Sequence, residues 1–228
     1  MQLRVVSYNI RHGHDVGLDM SVLVKDLMQV HPDVIGLQEV DVGTSRVQGR
    51  DTLSELAAHL KKAGFADNVH YAFCRAIDFA GGQYGTAILS RYPILSFKVI
   101  SLPTPAHVEV RAIGHAILDV DGERVDFFNT HLTYESAELR KPQFDFLAAL
   151  TAQFPGWILT GDFNTADLSC FDAFPAASLA NPGKYVTFPE SGEGIDNVVC
   201  DASRRITDTG ILQNFHSDHV LLWAEIER

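Results

Sequence analysis

A chain of 228 residues, 46% hydrophobic and 21% charged, has the composition of one large globular domain and can bury a core without staples. Its formal net charge of -11 repels polyanions at long range, which disfavours broad nonspecific binding of nucleic acid. Cys74, Cys170 and Cys200 are odd in number and far apart, which argues against a disulfide framework or a thiolate zinc site and fits a reducing, cytoplasmic setting. No apolar run reaches the length of a membrane-spanning helix, and the N-terminus enters a strand-like run with no charged-then-apolar signal pattern.

In chain order, the apolar, β-branched run 3–9 predicts a buried strand. Met20, Leu23, Val24 and Leu27 recur at helical spacing within 19–30, ahead of the breaker Pro32. A short strand over 34–37 ends at Gln38-Glu39, and a second helix over 52–60 is closed by Gly64. The middle is strand-rich, with runs at 69–74, 86–89, 94–102, 112–120 and 125–129, the last two joined by the hairpin signal Asp121-Gly122. A helix over 135–152 carries Leu139, Phe146, Leu147 and Leu150. Strands over 157–160, 196–200 and 220–226 complete the pattern. Apolar helices beside apolar sheets predict an α/β or α+β protein in which packed sheets carry helices outside.

The apolar strands stop abruptly in polar groups: Ser7-Tyr8-Asn9, Gln38-Glu39, Asn129-Thr130-His131 and Gly161-Asp162-Phe163-Asn164, while Ser217-Asp218-His219 opens the last strand. Strand ends can converge on one rim of a sheet, where ligand sites are commonly built. Glu39, Asp162, Asp196 and Asp218, with the amides Asn9 and Asn164, are hard oxygen donors suited to Mg²⁺ or Mn²⁺. His131 and His219 can transfer protons or hydrogen-bond a phosphate. Each residue alone has a plainer reading as a turn cap, a solvated acid or a structural histidine. That reading does not account for all of them standing in order at strand ends.

These motifs, together with Leu37-Gln38-Glu39-Val40, Ile195-Asp196 and the segment 84–94, resemble in their order the endonuclease/exonuclease/phosphatase superfamily, including its compact bacterial members. The resemblance covers essentially all of 1–228 as a single catalytic domain. It implies a four-layer α/β/β/α sandwich with two central, mostly antiparallel sheets. It also implies roles: Glu39 as the main metal carboxylate, Asn9 as the amide beside the metal and Asp218 as a further metal-side acid. Asp162 would orient or deprotonate the attacking water, and Asn164 would position that acid and a phosphate oxygen. His219 would sit on the phosphate, oriented by Asp196, with His131 as a second histidine. The implied chemistry is direct attack of water on a phosphoester with one or two Mg²⁺ or Mn²⁺ ions, and no covalent intermediate.

Arg46 and Arg111, with Asn129, are the expected substrate-binding residues, since guanidinium groups suit phosphate; Arg50 lies in the same loop as Arg46. The Gly81–Gly85 run lacks the spacing of a dinucleotide loop and reads as a tight turn. There is no GxSxG or HExxH, so serine-hydrolase and zincin chemistry lack support. No basic cluster stands between the motifs, so a small or lipid-derived phosphodiester is favoured over nucleic acid. A DNA or RNA nuclease is the alternative, and a non-catalytic binding module on the same fold is the third reading. A monomer acting on a phosphoester is expected.

Overall fold

A computed structural model describes residues 2–227. Among these residues, twelve strands form two six-stranded sheets. The first sheet has the order β11-β12-β1-β2-β4-β3, where β1 is Gln2–Asn9, β2 Val34–Val42, β3 His70–Phe79, β4 Gly82–Ser90, β11 Arg205–Leu212 and β12 Leu221–Glu227. The second has the order β5-β6-β7-β8-β10-β9, where β5 is Ile94–Ser101, β6 Ala112–Val120, β7 Glu123–His131, β8 Ile158–Asp162, β9 Ser178–Leu179 and β10 Asp196–Cys200. Three α-helices flank them: α1 Met20–Gln29, α2 Thr52–Lys62 and α3 Ala137–Thr151. This is the expected α/β sandwich of two central mixed sheets. No helix among the described residues is long and apolar enough to cross a membrane.

Strand periodicity accounts for the layers. Successive side chains point to opposite faces of a sheet. Leu3 and Val5 therefore enter the core between the sheets, while Val6 and Tyr8 pack with Leu23 and Leu27 of α1 and Leu53, Leu56 and Leu60 of α2. In β8, Ile158 faces the inter-sheet core, and Leu159 packs with Phe144 and Leu147 of α3. Strands buried on both faces read as continuous apolar runs, which is why β1, β2 and β8 stand out in the sequence. Each helix has a side-chain N-cap, with Asp19, Asp51 and Ser136 accepting from Ser21, Ser54 and Leu139 backbone N–H groups.

Each sheet contains one parallel pair, β1 with β2 and β7 with β8; every other pairing is antiparallel. A parallel pair needs a crossover, supplied by α1 in the first sheet and by α3 in the second. The carboxyl ends of β1, β7 and β8 thus carry Asn9, His131 and Asp162, and the Gln38-Glu39 region of β2 lies beside Asn9. The antiparallel partners β12 and β10 start at the same end, so residues 218–219 and Asp196 arrive there too.

Where the sheets meet near this end, the packing is polar. The Asn129 amide donates to the carbonyls of Leu37 (2.8 Å) and Ala87 (2.9 Å) in the first sheet. Its oxygen accepts from Gln38 Nε2 (2.7 Å) and Thr160 Oγ1 (3.0 Å). Gly36 makes this closeness possible, since a Cβ there would stand 2.0 Å from Thr160 Oγ1.

Two strands were not evident from composition, β11 and the two-residue β9, both at sheet edges. The expected runs 69–74 and 86–89 extend to Phe79 and back to Gly82. The turn read at 81–85 is confined to Ala80-Gly81, both at positive φ; Gly82 onward pairs in β4. The Asp121-Gly122 hairpin forms as expected, again with both residues at positive φ.

Candidate active site

At the polar end of the sandwich opens a cavity of about 470 Å³, lined by Glu39, Arg46, Phe79, Tyr84, Glu109, Arg111, His131, Tyr134, Asp162, Asn164, Phe188, Ile195, Asp218 and His219. Strand register explains much of this gathering. His131, Asp162 and Asp196 are side by side across β7, β8 and β10. Asn9 and Gln38 are neighbours across β1 and β2.

Glu39 follows Gln38 at a bulge, where the register between β2 and β4 shifts between Leu37 and Val40. Its φ is +55°, and Asn164 beside Asp162 has φ +52°. Left-handed backbone is uncommon for such residues and is concentrated at functional sites. The bulge re-aims the Glu39 carboxylate toward the cavity.

Asp162 forms the buried centre. Its Oδ2 accepts from Asn9 Nδ2 at 3.0 Å and lies 3.5 Å from both His131 Nε2 and His219 Nε2. Its Oδ1 accepts from the Asn164 backbone N–H at 2.9 Å. Burial raises its pKa and the Asp196 charge adds to this, opposed by His219, Asn9 and Asn164. A carboxylate held above its ordinary range is a better proton acceptor near neutral pH. His219 Nδ1 donates to Asp196 Oδ2 at 2.9 Å. Burial alone would lower the His219 pKa, but Asp196 and Asp162 outweigh it and favour the imidazolium. Thr187 Oγ1 accepts from the Ile195 and Asp196 backbone N–H groups and fixes the start of β10.

His131 differs. Burial, then Arg111, then His219 push its pKa well below the ordinary histidine value. The structure therefore brings the two histidines to one acid but in opposite electrostatic settings.

Oxygen donors for a cation lie on the other side of Asn9. Burial raises the Glu39 pKa, opposed by the Asn9 hydrogen bond, and Asp218 raises it further. Two acids facing one cavity are a deficit of positive charge that a divalent cation would relieve, so the residues present fit such an ion. Asn9 stands between Glu39 and Asp162. Its NH₂ donates to Glu39 Oε1 (3.3 Å) and Asp162, while its oxygen accepts from the Arg11 backbone N–H (3.1 Å). The amide thus spaces the two acids. One ligand atom each from Asp162, Asp196 and His219 also lie within 4.8 Å of one another. The Asp196–His219 hydrogen bond accounts for that closeness, and this cluster suits proton handling.

The other expected residues are distributed unevenly. Asn164 lines the cavity and donates its amide to the Leu132 carbonyl at 2.8 Å. Arg46 lines the cavity but is clamped by the buried Asp41 carboxylate at 2.7 and 2.8 Å and lies over the rings of Phe79 and Tyr84. Arg111 lines the cavity and pairs with Glu109 at 3.1 Å. Arg50 is away from the cavity and pairs with Glu55. Asn129, expected on the substrate side, is fully buried and absent from the cavity wall; its amide is committed to bridging the sheets. Glu109, Tyr134 and Phe188, the last with its ring 4.8 Å from that of His219, were not singled out from sequence. They stand on loops, where no periodicity marks them, and only Tyr134, three residues after His131, is near a motif.

These features define a double-sheet sandwich with a cavity of acids, amides and histidines at one end. The sequence pattern of the Endonuclease/Exonuclease/phosphatase family matches residues 6–219, and the chain belongs to that family. Among solved structures it is similar to an endonuclease/exonuclease/phosphatase from Beutenbergia cavernae, with TM-score 0.83 and 19% identity over 99% of this chain and 71% of that one. It is also similar to a humanized D. rerio TDP2, with TM-score 0.75 and 16% identity over 100% of this chain and 99% of that one. A mannosyl-6-phosphatase from Bacteroides thetaiotaomicron aligns with TM-score 0.70 and 20% identity over 99% of this chain and 100% of that one. Such identities speak for the fold alone. No curated protein matches the chain by sequence comparison.

Proposed function

We propose that the chain is a divalent-metal-dependent phosphoesterase that hydrolyses a small or lipid-derived phosphodiester by direct attack of water. The observation that carries this reading is the environment of Asp162: a buried carboxylate of raised pKa, touched by Asn9, His131 and His219 on the cavity floor. Asp162 accepts the proton of the attacking water. Asn164 holds that carboxylate through its backbone N–H. His219, kept cationic by Asp196, donates to a phosphate oxygen, and His131 supplies a second contact there. Glu39 and Asp218 would hold the Mg²⁺ or Mn²⁺, with Asn9 spacing Glu39 from Asp162. The bound ion supplies charge neutralisation of the phosphate and stabilisation of the leaving oxygen.

The charge pattern favours a compact substrate. Arg46 and Arg111 are the guanidinium groups on the cavity wall, and each is already paired with an acid, Asp41 and Glu109. Little unpaired positive charge remains to track a polyanionic backbone.

The test is hydrolysis of bis-p-nitrophenyl phosphate with Mg²⁺, Mn²⁺ or EDTA, run beside Asp162→Asn. Metal-dependent release, reduced about 10²-fold or more in the variant as befits loss of a positioned base, is the expected result. Full activity in Asp162→Asn would move the base elsewhere. Preference for single-stranded or duplex DNA over small diesters, with steep salt dependence, would favour a nuclease. Absence of turnover with metal still bound would favour a binding module.

A further inference from the structure

The loop before β6 places a buried guanidinium behind one of the two site histidines. Arg111 is 3% exposed. One terminal nitrogen lies 3.1 Å from His131 Nδ1, and the other pairs with Glu109 Oε1 at 3.1 Å. A guanidinium has five donors and no acceptor. The hydrogen bond therefore has one direction: Arg111 donates and His131 Nδ1 accepts. A neutral imidazole whose Nδ1 keeps its lone pair carries its proton on Nε2. That nitrogen faces Asp162 Oδ2 at 3.5 Å, on the cavity side.

We propose that Arg111 is a positioning residue that locks His131 in the neutral Nε2–H tautomer, so that His131 presents a fixed, uncharged hydrogen-bond donor to the cavity. This rests on the reading of the site given above and divides the labour of its histidines. His219 has an acid at Nδ1 and is the charged donor. His131 has a cation at Nδ1, and a second proton there would point at another N–H. His131 therefore contributes orientation and a hydrogen bond to a phosphate oxygen or to the attacking water, and proton delivery falls to His219. Glu109 completes the device by holding the other arm of the guanidinium, which keeps Arg111 turned toward the ring.

The experiment is long-range ¹H–¹⁵N correlation NMR of histidine-labelled full-length protein at neutral pH, with the His131 signals assigned by their loss in His131→Asn. The expected result is a neutral ring protonated on Nε2. Arg111→Lys, another donor without an acceptor, keeps that tautomer. Arg111→Gln, whose amide can also accept, lets the Nδ1–H form appear, and Arg111→Met gives a second route to the same release. A protonated ring or an Nδ1–H ring in the unmodified protein would overturn the proposal, as would an unchanged tautomer in whichever of these two variants folds. In the diesterase assay, Arg111→Gln is expected to lower kcat about tenfold with little change in KM, a loss of the size seen when a group orienting a site histidine is removed, and Arg111→Lys to restore most of it. A protein with no turnover toward any phosphoester would defeat the functional reading, whereas the tautomer is read without substrate and stands or falls separately.

Discussion

Asp196 and Asn129 are both buried polar residues near the site, yet they serve different ends. Asp196 acts through His219. Its Oδ2 accepts from His219 Nδ1, while its Oδ1 is buried without a side-chain or backbone partner. The carboxylate favours the charged form of His219 and holds its pKa above the ordinary value. The imidazolium is then present at neutral pH and is lost only as the pH rises through the raised pKa. Replacing the acid by an amide removes the raising charge, so the pKa falls. Asp196→Asn is therefore expected to move the alkaline limb of the kcat/KM profile to lower pH and to reduce the plateau, with the folded fraction unchanged by circular dichroism. An unmoved alkaline limb would take His219 out of the proton inventory. Asn129, by contrast, tests architecture. Asn129→Ala removes the donor to the Leu37 and Ala87 carbonyls and an acceptor for Gln38 and Thr160. Each lost hydrogen bond contributes about 0.5–1.5 kcal/mol, so a loss of roughly 3 kcal/mol in urea unfolding is expected. Loss of activity without loss of stability would return Asn129 to the substrate side.

At the scale of elements, the site exists because parallel pairs end together. β1 ends at Asn9 beside the bulge that carries Glu39 in β2, β7 and β8 end at His131 and Asp162, and the two sheets bring these groups face to face. Gly36 sets how closely. A Cβ there would overlap Thr160 and approach Asn129 Oδ1 to 2.8 Å, so Gly36→Ala is expected to destabilise by about 1–3 kcal/mol, the range for overpacked interiors. It should also lower activity in the folded protein by parting Asn9 from Asp162. Thermal unfolding beside the diesterase assay measures both, and an unperturbed melting temperature would show that the sheets can slide apart freely. The same pairing explains what could be read from sequence. Doubly buried strands such as β1 and β8 are apolar runs with a polar stop, and the stop is the site residue. β11 has no such signature, because an edge strand with one exposed face is held by backbone pairing to β12. The bulge at Glu39 was illegible too: the apolar run ends at Leu37, and nothing local says that the chain continues in β2 to Val42 with a shifted register. Asn129 shares a motif and a strand face with His131, yet it stands two residues deeper along β7, where its amide bridges the sheets. Roles that depend on partners distant in sequence, such as Arg111 behind His131, have no local signal at all.

For the whole molecule, the formal charge of -11 and the concentration of acids at one end of the sandwich make cation binding a matter of stability as well as chemistry. Glu39 and Asp218 face the same cavity, and the Asp218 charge disfavours the ionised form of Glu39. Arg11, 3.4 Å from Asp218 and paired also with Asp15, offsets part of that repulsion. A cation that binds the folded chain and not the unfolded one adds RT ln(1 + [L]/Kd), about 2.7 kcal/mol at one hundred times Kd. Mg²⁺ or Mn²⁺ is therefore expected to raise the melting temperature of the full-length protein in a concentration-dependent manner, and EDTA to reverse it. The control must separate specific binding from general screening of a negative surface, since any salt weakens long-range repulsion. Matching the ionic strength with NaCl removes that component. Glu39→Gln supplies the second control: losing one of two facing acids should by itself ease the repulsion and raise the metal-free melting temperature slightly, while abolishing most of the metal-dependent increment. Both effects narrow the gap between the curves with and without metal, so the gap, rather than either temperature, is the decisive quantity. A gap that is equally large in Glu39→Gln would place the cation away from β2 and leave Glu39 as a buried acid whose strained backbone serves some other purpose.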